Sequence, residues 1–481
     1  MSKPNLIGTA LLAVCLLASP GARARMADNG HRSTVGGIDL ISYQTNVRDV
    51  VAILGALPAG DAMAGSDNIA VPTLTGMMLD RGTKTLDKFA IAAQLDDVGA
   101  EISFGVGTQS LEIRARCLKK DLPLVLKILA AELRTPALSA AEFAKARQQF
   151  AGSLQDSLQD TAFRAEEAFA REIYPPGHPN RPHSAEEYLS AVKSVTLDQV
   201  KAFHAKYYGP KSLTMVLVGD VPVSVAEAEI AKDFAGWAGG EEYLHSDRPA
   251  AATGPQETSV PLKDKPSVSV VLGQATGLRY RDPESLPLRV GTAIFGRGFT
   301  GRLMGVVRDR EGLTYNIGAQ IGDDSITDGD WSITASFAPS LLERGVASTR
   351  RELDKWWRDG ITDAELSTRK QGIVGGYLVS LSNTGGLASA ILTFVQRGYD
   401  LDYLDGYPQA VKAVTREQVN RAIHSRLDPS KMVLVEAGSL GAGGAGPGAP
   451  PAPPGPAPRT APGPTPTSPP PHGPPAKPGG P

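Results

Sequence analysis

The sequence has 481 residues, 41% of them hydrophobic, and a formal net charge of −2 at pH 7. A chain of this length is too long for one hydrophobic core and predicts two or more domains. Proteins that bind nucleic acids neutralise phosphates with a clustered excess of Lys and Arg, so this charge balance argues against that class.

The first 24 residues have the pattern of a secretory signal. Lys3 precedes an apolar run over residues 6–18, and Ala22-Arg23-Ala24 is a small-x-small cleavage site. A lipoprotein site at Cys15 is the alternative, but valine before this cysteine is unusual and the apolar run continues beyond it. We therefore expect cleavage after Ala24 and export to the periplasm or cell envelope. No transmembrane segment is expected after signal removal, because no other stretch has the roughly 20 apolar residues of a membrane helix.

The sequence contains two cysteines, Cys15 and Cys117. Because Cys15 is removed with the signal, the mature chain is expected to form no internal disulfide. Cys117 ends an alternating run and shares one face with Leu111 and Ile113, which predicts a small buried core residue.

The segment 25–36 is polar and is expected to be loose. After it, the hydrophobic pattern predicts a strand, a helix, two paired strands around Gly107 and two long helices. These elements cover residues 50–57, 83–98, 102–106 with 111–117, 122–134 and 140–169. A Pro-rich loop follows, in which His178 and His183 are expected to be solvated, the alternative being weak metal binding.

The chain then repeats itself. Residues 191–219 align without a gap on residues 410–438, at a constant offset of 219. Each copy has a capping box, formed by a Thr and a Gln three residues later, and each has a Pro between its helix and an apolar strand. Upstream, the segment around Ala141 resembles the segment around Ala364. The sequence therefore predicts a tandem duplication of an α+β unit of roughly 200 residues.

These observations give the expected domain organisation. Two homologous α/β sandwich domains of antiparallel sheet plus helices, residues 37–235 and 263–438, are expected to form a clamshell of the α+β class. A linker rich in Gly, Ala and acidic residues, 236–262, joins them. Residues 439–481 are rich in Pro, Gly and Ala and predict a disordered, extended tail.

A Gly-rich turn, a short basic helix and a strand occupy residues 295–317. If residues 302–310 are helical, the apolar side chains face inward and Arg302, Arg308 and Arg310 are left free. Gly312 then ends the helix, and Tyr315 returns alongside Arg308. Taken alone, these residues are also typical of a solvated helix charge and a strand-end core aromatic.

The two repeats, this Arg/Tyr segment and the run Gly76-Met-Met-Leu-Asp-Arg-Gly-Thr83 resemble the pitrilysin/insulinase-type zinc metallopeptidases. The resemblance is strongest to the short two-domain group related to mitochondrial processing peptidase, and it spans residues 47–438. In active members, a His-x-x-Glu-His motif runs directly into the Met-x-x-x-Gly-Thr segment. Its two histidines bind zinc and its glutamate activates water.

The resemblance implies that this chain has lost that centre. Thr73 and Met77 stand where the two histidines belong, and Gly76 stands where the general base belongs. The third ligand of the family, a glutamate on a later helix, aligns with Ser153. These side chains are poor zinc ligands, and no two histidines of the chain form a helical i, i+4 pair. We therefore expect no metal site and no cofactor in this chain.

The resemblance also implies a role for the Arg/Tyr segment. In two-subunit members, the subunit without zinc supplies an Arg and a Tyr, seven residues apart, and Arg308 and Tyr315 match this spacing. Such a pair can hold a substrate carbonyl and a developing oxyanion. Substrate in the family adds as a strand to an exposed sheet edge, which here corresponds to Ile102, Ser103, Phe104 and Gly105. This segment lacks the Asn that active members often carry there.

The expected function is the non-catalytic subunit of a periplasmic heterodimer, which supplies Arg308 and Tyr315 in trans to a zinc-bearing homologue. Its substrates would be peptides or unfolded proteins, and zinc is expected in the partner. Two alternatives are an inert envelope scaffold with the same fold and a peptide-binding, chaperone-like module that works alone. A third, an active zinc peptidase with a displaced site, has no visible ligand set.

Overall fold

Two mixed β-sheets organise the chain. The computed structural model describes residues 25–65, 67–242 and 249–440, so the predicted signal and the predicted tail from residue 441 onward lie outside the described residues. The first sheet has the order β1-β2-β6-β3-β5-β4 and the second has the order β7-β11-β8-β10-β9. The strands are β1 (Gly30–Val35), β2 (Ile38–Gln44), β3 (Val50–Leu57), β4 (Glu101–Val106), β5 (Leu111–Leu118), β6 (Thr214–Gly219), β7 (Gln256–Pro261), β8 (Val268–Ala275), β9 (Thr314–Gly322), β10 (Asp330–Phe337) and β11 (Val433–Gly438).

Fourteen α-helices lie within the described residues, together with a π-helix, Met304–Arg310, and short 3-10 turns. The first half contributes α1 (Val71–Gly76), α2 (Lys88–Asp96), α3 (Leu122–Arg134), α4 (Ala140–Ser157), α5 (Thr161–Ile173), α6 (Ala185–Ser194), α7 (Leu197–Tyr207) and α8 (Val223–Asp233). The second half contributes α9 (Ser285–Gly296), α10 (Leu342–Asp359), α11 (Asp363–Ser380), α12 (Thr384–Gln396), α13 (Tyr403–Ala413) and α14 (Arg416–Arg426).

The sheets confirm the duplicated α+β architecture. In both, the strand of the sequence repeat, β6 or β11, lies between a parallel neighbour and an antiparallel one. The capping boxes of α7 and α14 are present, with Thr196 and Thr415 each accepting a hydrogen bond from the backbone N–H of the Gln three residues later. The sheets are not purely antiparallel as expected, because β2 pairs in parallel with β6 and β7 pairs in parallel with β11.

The segment 25–36 is not loose, contrary to the sequence prediction. It forms a 3-10 turn and the edge strand β1, which pairs with β2 over its whole length. Gly36 and Gly37 have φ of 57° and 90°, the left-handed backbone that a two-residue hairpin turn requires. β1 is polar because it lies at an edge, where main-chain hydrogen bonds hold it and its side chains remain largely exposed.

The linker 236–262 also contains regular structure. Its residues 256–261 form β7, which pairs with β11 in parallel. Residues 243–248 of the linker lie outside the described residues. β7 has little hydrophobic patterning since it too is an edge strand with mainly exposed side chains.

Each half of the chain contributes one helix that packs on the sheet of the other half. α5, from the first half, packs on the second sheet, where Phe169 and Ile173 lie among Val271, Val433 and Val435. α12, from the second half, packs on the first sheet around Ile391 and Phe394. Each sheet is thus covered on one face by helices of its own half and on the other by a helix from the opposite half. The described residues up to Leu440 accordingly belong to one compact unit.

Buried aromatic and aliphatic side chains fill both cores. Cys117 is 3% exposed in the first core, and burial raises the pKa of its thiol to about 12, consistent with the expected inert core residue. In the second core, Trp356 stacks on Phe295 and on Trp331, with ring centroids 4.6 and 5.8 Å away. No single helix in the described ranges has the length and hydropathy of a membrane span; α11 and α12 reach that threshold only jointly, across a 114° bend.

Candidate functional site

The positions that correspond to the zinc motif lie on and just after α1. The hydroxyl of Thr73 donates a 2.8 Å hydrogen bond to Asp61 Oδ1, and the Tyr188 hydroxyl donates one of 2.9 Å to Asp61 Oδ2. Burial raises the pKa of Asp61 to about 6, although both hydrogen bonds act to lower it. The Thr73 hydroxyl is therefore already hydrogen-bonded to a carboxylate on the preceding 3-10 turn.

At Gly76, the position of the general base, a side chain would clash with its neighbours. A Cβ placed there would lie 2.3 Å from Cγ2 of Val106 and 3.3 Å from Cδ1 of Leu111. Val106 belongs to β4, the strand at the edge of the first sheet. The space into which a glutamate would extend is thus filled by a valine.

The remaining two positions make only local contacts. Met77 packs half-buried against the first core, and its carbonyl accepts a 2.7 Å hydrogen bond from Arg81 Nε. Ser153 lies on α4, which contacts α1, and its hydroxyl donates to the carbonyl of Phe150 on the same helix. Within the described residues, no group of three His, Cys, Asp or Glu side chains is placed to hold a metal ion. The residues present do not fit a zinc ion.

His178 is not solvated, contrary to the sequence prediction. It is 6% exposed, its Nε2 lies 3.1 Å from Asp328 Oδ1, and its ring stacks on Tyr174. Nδ1 accepts a hydrogen bond from the backbone N–H of Asn180, so Nε2 is the nitrogen left to donate to Asp328. The pair joins the Pro-rich loop to the second half and is structural. His183 is exposed, as expected, and lies 3.8 Å from Glu187.

The predicted substrate strand is an edge strand. Residues Ile102 to Gly105 pair with β5 on one side only, and the outer side of β4 has no partner strand among the described residues. Gly105 faces open space, since a Cβ built there meets no atom within 4 Å. The backbone groups needed to add a peptide strand are thus available, and peptide binding stays a prediction.

Arg308 and Tyr315 are brought together, as predicted. The guanidinium carbon of Arg308 lies 5.3 Å from the centre of the Tyr315 ring, within cation–π range. Leu303, Met304, Val306 and Val307 are buried as expected, but the helix that presents Arg308 is a π-helix, ended by Gly312 at φ 63°. Arg302, expected to be free, instead forms an ion pair with Glu365 at 2.6 Å.

Phe299 completes this group, and sequence reasoning missed it. Its ring centre lies 5.2 Å from the Arg308 guanidinium carbon, so Arg308 contacts two aromatic rings. Both rings are exposed, Tyr315 by 86% and Phe299 by 73%. The nearest carboxylate, on Asp309, is 3.8 Å from Arg308. A large apolar residue in a Gly-rich turn is the one sequence signal that could have indicated this contact. We call Phe299, Arg308 and Tyr315 the exposed stack.

Comparisons with known proteins find sequence similarity to a peptidase family. A family profile described as "Peptidase M16 inactive domain" matches residues 194–373. A "non-peptidase homolog" from Helicobacter pylori, YmxG, is 20% identical over 383 residues, covering 78% of this chain and 85% of its own. An "uncharacterized zinc protease" from Streptomyces coelicolor, SCO5738, is 23% identical over 321 residues, covering 65% of this chain and 69% of its own.

A solved structure shares the fold. The crystal structure described as peptidase M16 inactive domain from Pseudomonas fluorescens superposes with a TM-score of 0.78 at 24% identity, covering 86% of this chain and 98% of that one. The similarity therefore extends over both sheets, and the relatives include proteins named as zinc proteases as well as one named as a non-peptidase.

Proposed function

This chain belongs to the pitrilysin/insulinase-type (M16) peptidase family as a homologue of the inactive type, and on that premise we propose that it is the non-catalytic subunit of a two-subunit zinc metallopeptidase. The partner is a homologue that carries the zinc. The complex acts on peptides or unfolded proteins in the periplasm or cell envelope. Arg308 and Tyr315 complete the partner's active site in trans.

Two observations carry this proposal: the exposed stack is present in the second half, and the zinc position in the first half is filled. Large aromatic rings are normally buried, and holding two of them in water against one guanidinium contributes little to folding. The nearest carboxylate to Arg308 among the described residues, on Asp309, lies 3.8 Å away, at the outer limit of an ion pair. A cation with these contacts remains able to hold a substrate carbonyl or a developing oxyanion, and the phenol of Tyr315 can donate a further hydrogen bond.

The edge of β4 supports the substrate assignment. An extended peptide can add to this edge by main-chain hydrogen bonds, which give affinity without a strict sequence requirement. Over residues 101–104 of β4 the side chains alternate between exposed and half-buried, and Ile102 and Phe104 lie on the half-buried face. Such an edge suits unfolded segments more than folded proteins.

The test is peptidase activity on an unstructured quenched-fluorescence peptide. It compares the mature chain alone, a zinc-bearing homologue encoded in the same genome alone, and their mixture. We expect activity only in the mixture, and Arg308→Ala is expected to lower it by about 10²-fold, the usual loss when one oxyanion-stabilising group is removed. Arg310→Ala, a change to an exposed arginine two residues along the same π-helix, is the matched control and should leave the activity of the mixture unchanged.

Two outcomes would contradict the proposal. A stable complex without any gain of activity on mixing would favour an inert scaffold with this fold. High peptide affinity of the chain alone, with no effect of any partner on hydrolysis, would favour a solitary peptide-binding module.

Zinc content gives a second, independent test. Because Thr73, Met77 and Ser153 do not fit a zinc ion, the purified mature chain is expected to contain less than about 0.1 zinc per molecule after dialysis. Inductively coupled plasma mass spectrometry would measure this, with the zinc-bearing homologue, expected at about one zinc per molecule, as the positive control. Stoichiometric zinc in this chain would require a displaced site and would exclude the proposed division of roles.

A further inference from the structure

A second group of arginines lines a pair of adjoining cavities in the second half of the chain. The cavities have volumes of about 460 and 510 Å³ and share five lining residues, Tyr280, Arg297, Ile373, Arg397 and Tyr407. The smaller is bounded by α9 and β9, and the larger by α11 and α12. We call the combined space the arginine pocket.

The arginine pocket carries an excess of positive charge. Four arginines line it, and within the described residues only Arg289 forms an ion pair, with Asp324. The other three, Arg297, Arg369 and Arg397, have no carboxylate within 4 Å in the described part of the chain. No Asp or Glu is among the described residues that line either cavity.

In the described part of the chain, these three arginines form few side-chain hydrogen bonds, and the acceptors are uncharged. Arg369 donates to the carbonyl of Arg297 at 3.3 Å and to the hydroxyl of Thr300 at 3.1 Å. Arg397 donates from Nε to the hydroxyl of Ser325 at 3.0 Å, and its guanidinium lies 3.6 Å from the centre of the Tyr280 ring. Several guanidinium N–H groups therefore remain available to an acceptor in the cavity.

The proximity of these charges costs free energy in the absence of a counter-charge. Burial lowers the pKa of Arg397, and burial together with the charge of Arg297 lowers the pKa of Arg369. Guanidinium groups nevertheless stay charged in proteins. An anion bound between them would relieve this repulsion, and a planar carboxylate matches the forked geometry of guanidinium donors.

The position of the pocket follows from the duplication. Ala141 and Ala364 are related by an offset of 223, and the same offset relates Ser153, at the third zinc-ligand position, to Gly376. Gly376 lines the larger cavity, and a Cβ built on it meets no atom within 4 Å. α11 contacts α9 as α4 contacts α1. The arginine pocket thus occupies the place in the second half that the zinc position occupies in the first.

The pocket also adjoins the edge strand of the second sheet. Ala319, Gln320 and Ile321 of β9 line the smaller cavity, and β9 is the edge strand of the second sheet. Tyr315 lies on the same strand, four residues before Ala319, which corresponds to about 13 Å along an extended backbone. The turn that carries Arg297 also carries Phe299. A strand added to β9 would therefore run between the exposed stack and the arginine pocket.

We propose that the arginine pocket binds a carboxylate of an extended peptide that lies along β9. The proposal rests on the proposed function for the assignment of the ligand as a peptide, but the binding is a property of this chain alone and needs no zinc-bearing partner. The carboxylate is either the free carboxyl terminus of the peptide or an Asp or Glu side chain.

Isothermal titration calorimetry of the full mature chain, without any partner, tests this. Three six-residue peptides of Ala and Thr are compared: one with a free carboxyl terminus, one amidated, and one amidated with a single internal Asp. We expect the first or the third to bind at least about 10-fold more tightly than the amidated neutral peptide, and which of them does so identifies the source of the carboxylate. Inorganic phosphate alone is the fourth arm.

Substitutions of the pocket arginines test whether the preference for peptides with a carboxylate depends on this pocket. Arg297→Gln and Arg369→Gln are each expected to remove most of the carboxylate preference, whereas Arg310→Gln, an exposed arginine outside the pocket lining, should leave it unchanged. Arg297 is exposed, so its substitution should not disturb folding; unchanged circular dichroism and melting temperature verify this.

Equal affinity for acidic and amidated peptides would overturn the proposal, and so would binding of phosphate without binding of any peptide. Failure here and failure of the proposed function are distinguishable. The calorimetry contains no zinc-bearing homologue, and the activity test depends on Arg308, which does not line the pocket.

Discussion

Gly76→Ala is expected to lower the free energy of unfolding by about 1–3 kcal/mol, the usual cost of adding a methyl group to a filled core. The added Cβ would lie 2.3 Å from Cγ2 of Val106, a distance that real Cβ contacts do not show, so the Val106 side chain, α1 or β4 must move. Both elements are part of the first core. A side chain at the position that corresponds to the catalytic glutamate therefore requires Val106 to give way.

A double-mutant cycle measures whether Val106 is the cause. Val106→Ala removes the methyl group that the new Cβ would contact, so the double variant should be more stable than the sum of the single effects predicts, by at least about 1 kcal/mol. Urea unfolding of the four proteins, followed by circular dichroism, gives these values. Additive effects would mean that the Gly76 position is restricted by something other than Val106.

Gly152→Ala is the matched control. Gly152 is also helical, on α4, but a Cβ built there meets no atom within 4 Å. Because Ala has a higher helix propensity than Gly, this change should raise the stability by about 0.5–1 kcal/mol. The two glycine substitutions are thus expected to have opposite signs, which separates a steric effect from a backbone effect.

Much of the fold could be predicted from the sequence, because the duplication left a repeat with its capping boxes intact. Thr196 and Thr415 cap equivalent helices that lead to equivalent strands, and this fixes the architecture of both halves. The pairing of Arg308 with Tyr315 could also be predicted, since Gly312 permits only a short return from helix to strand. These features depend on local sequence.

The features that could not be predicted depend on tertiary contacts. β1 and β7 are edge strands held by main-chain hydrogen bonds, so their side chains carry little hydrophobic pattern. The packing of α5 and α12 on the sheet of the opposite half could not be predicted from the hydrophobic periodicity. The pattern of an amphipathic helix shows which face is buried but does not specify which sheet it covers. The burial of His178 depends on Asp328, 150 residues later in the chain.

The arginine pocket could not be predicted either, because it too depends on tertiary contacts. Arg297, Arg369 and Arg397 are separated by 72 and 28 residues, and nothing in the sequence around each of them distinguishes it from a surface arginine. What the sequence did contain was the offset that relates Ser153 to Gly376.

Stability is expected to fall as the pH rises from about 4.5 to 8, and Glu132 is expected to cause a large part of this fall. Glu132, on α3, is 1% exposed, and its Oε2 has no hydrogen-bond partner in the part of the chain that the structure describes. Burial, with a smaller contribution from the charge of Asp80, raises the pKa of Glu132 from 4.5 to about 8. The folded state therefore binds this proton more tightly than the unfolded state, and deprotonation favours unfolding.

The sign follows from the two pKa values. Below about pH 4.5 the carboxyl is protonated in both states and its contribution to stability is fully present; above about pH 8 it is ionised in both states and that contribution has been lost. At 1.36 kcal/mol per pKa unit, the loss has an upper bound of about 5 kcal/mol. Glu132→Gln stays neutral, so this variant should match the wild type near pH 5 and be more stable by about 2–5 kcal/mol at pH 9.

Urea unfolding at pH 5 and pH 9 tests this, and the difference between variant and wild type isolates Glu132 from other titrating groups. Asp330, with a pKa raised to about 7 by burial and by the charge of Asp323, contributes to the fall in both proteins and cancels in the comparison. Glu101→Gln is the control, because the side chain of Glu101 is 71% exposed and its replacement should change stability little at either pH. If Glu132→Gln shifts stability equally at both pH values, the carboxylate is solvated or paired in solution, and its burial does not determine the pH dependence.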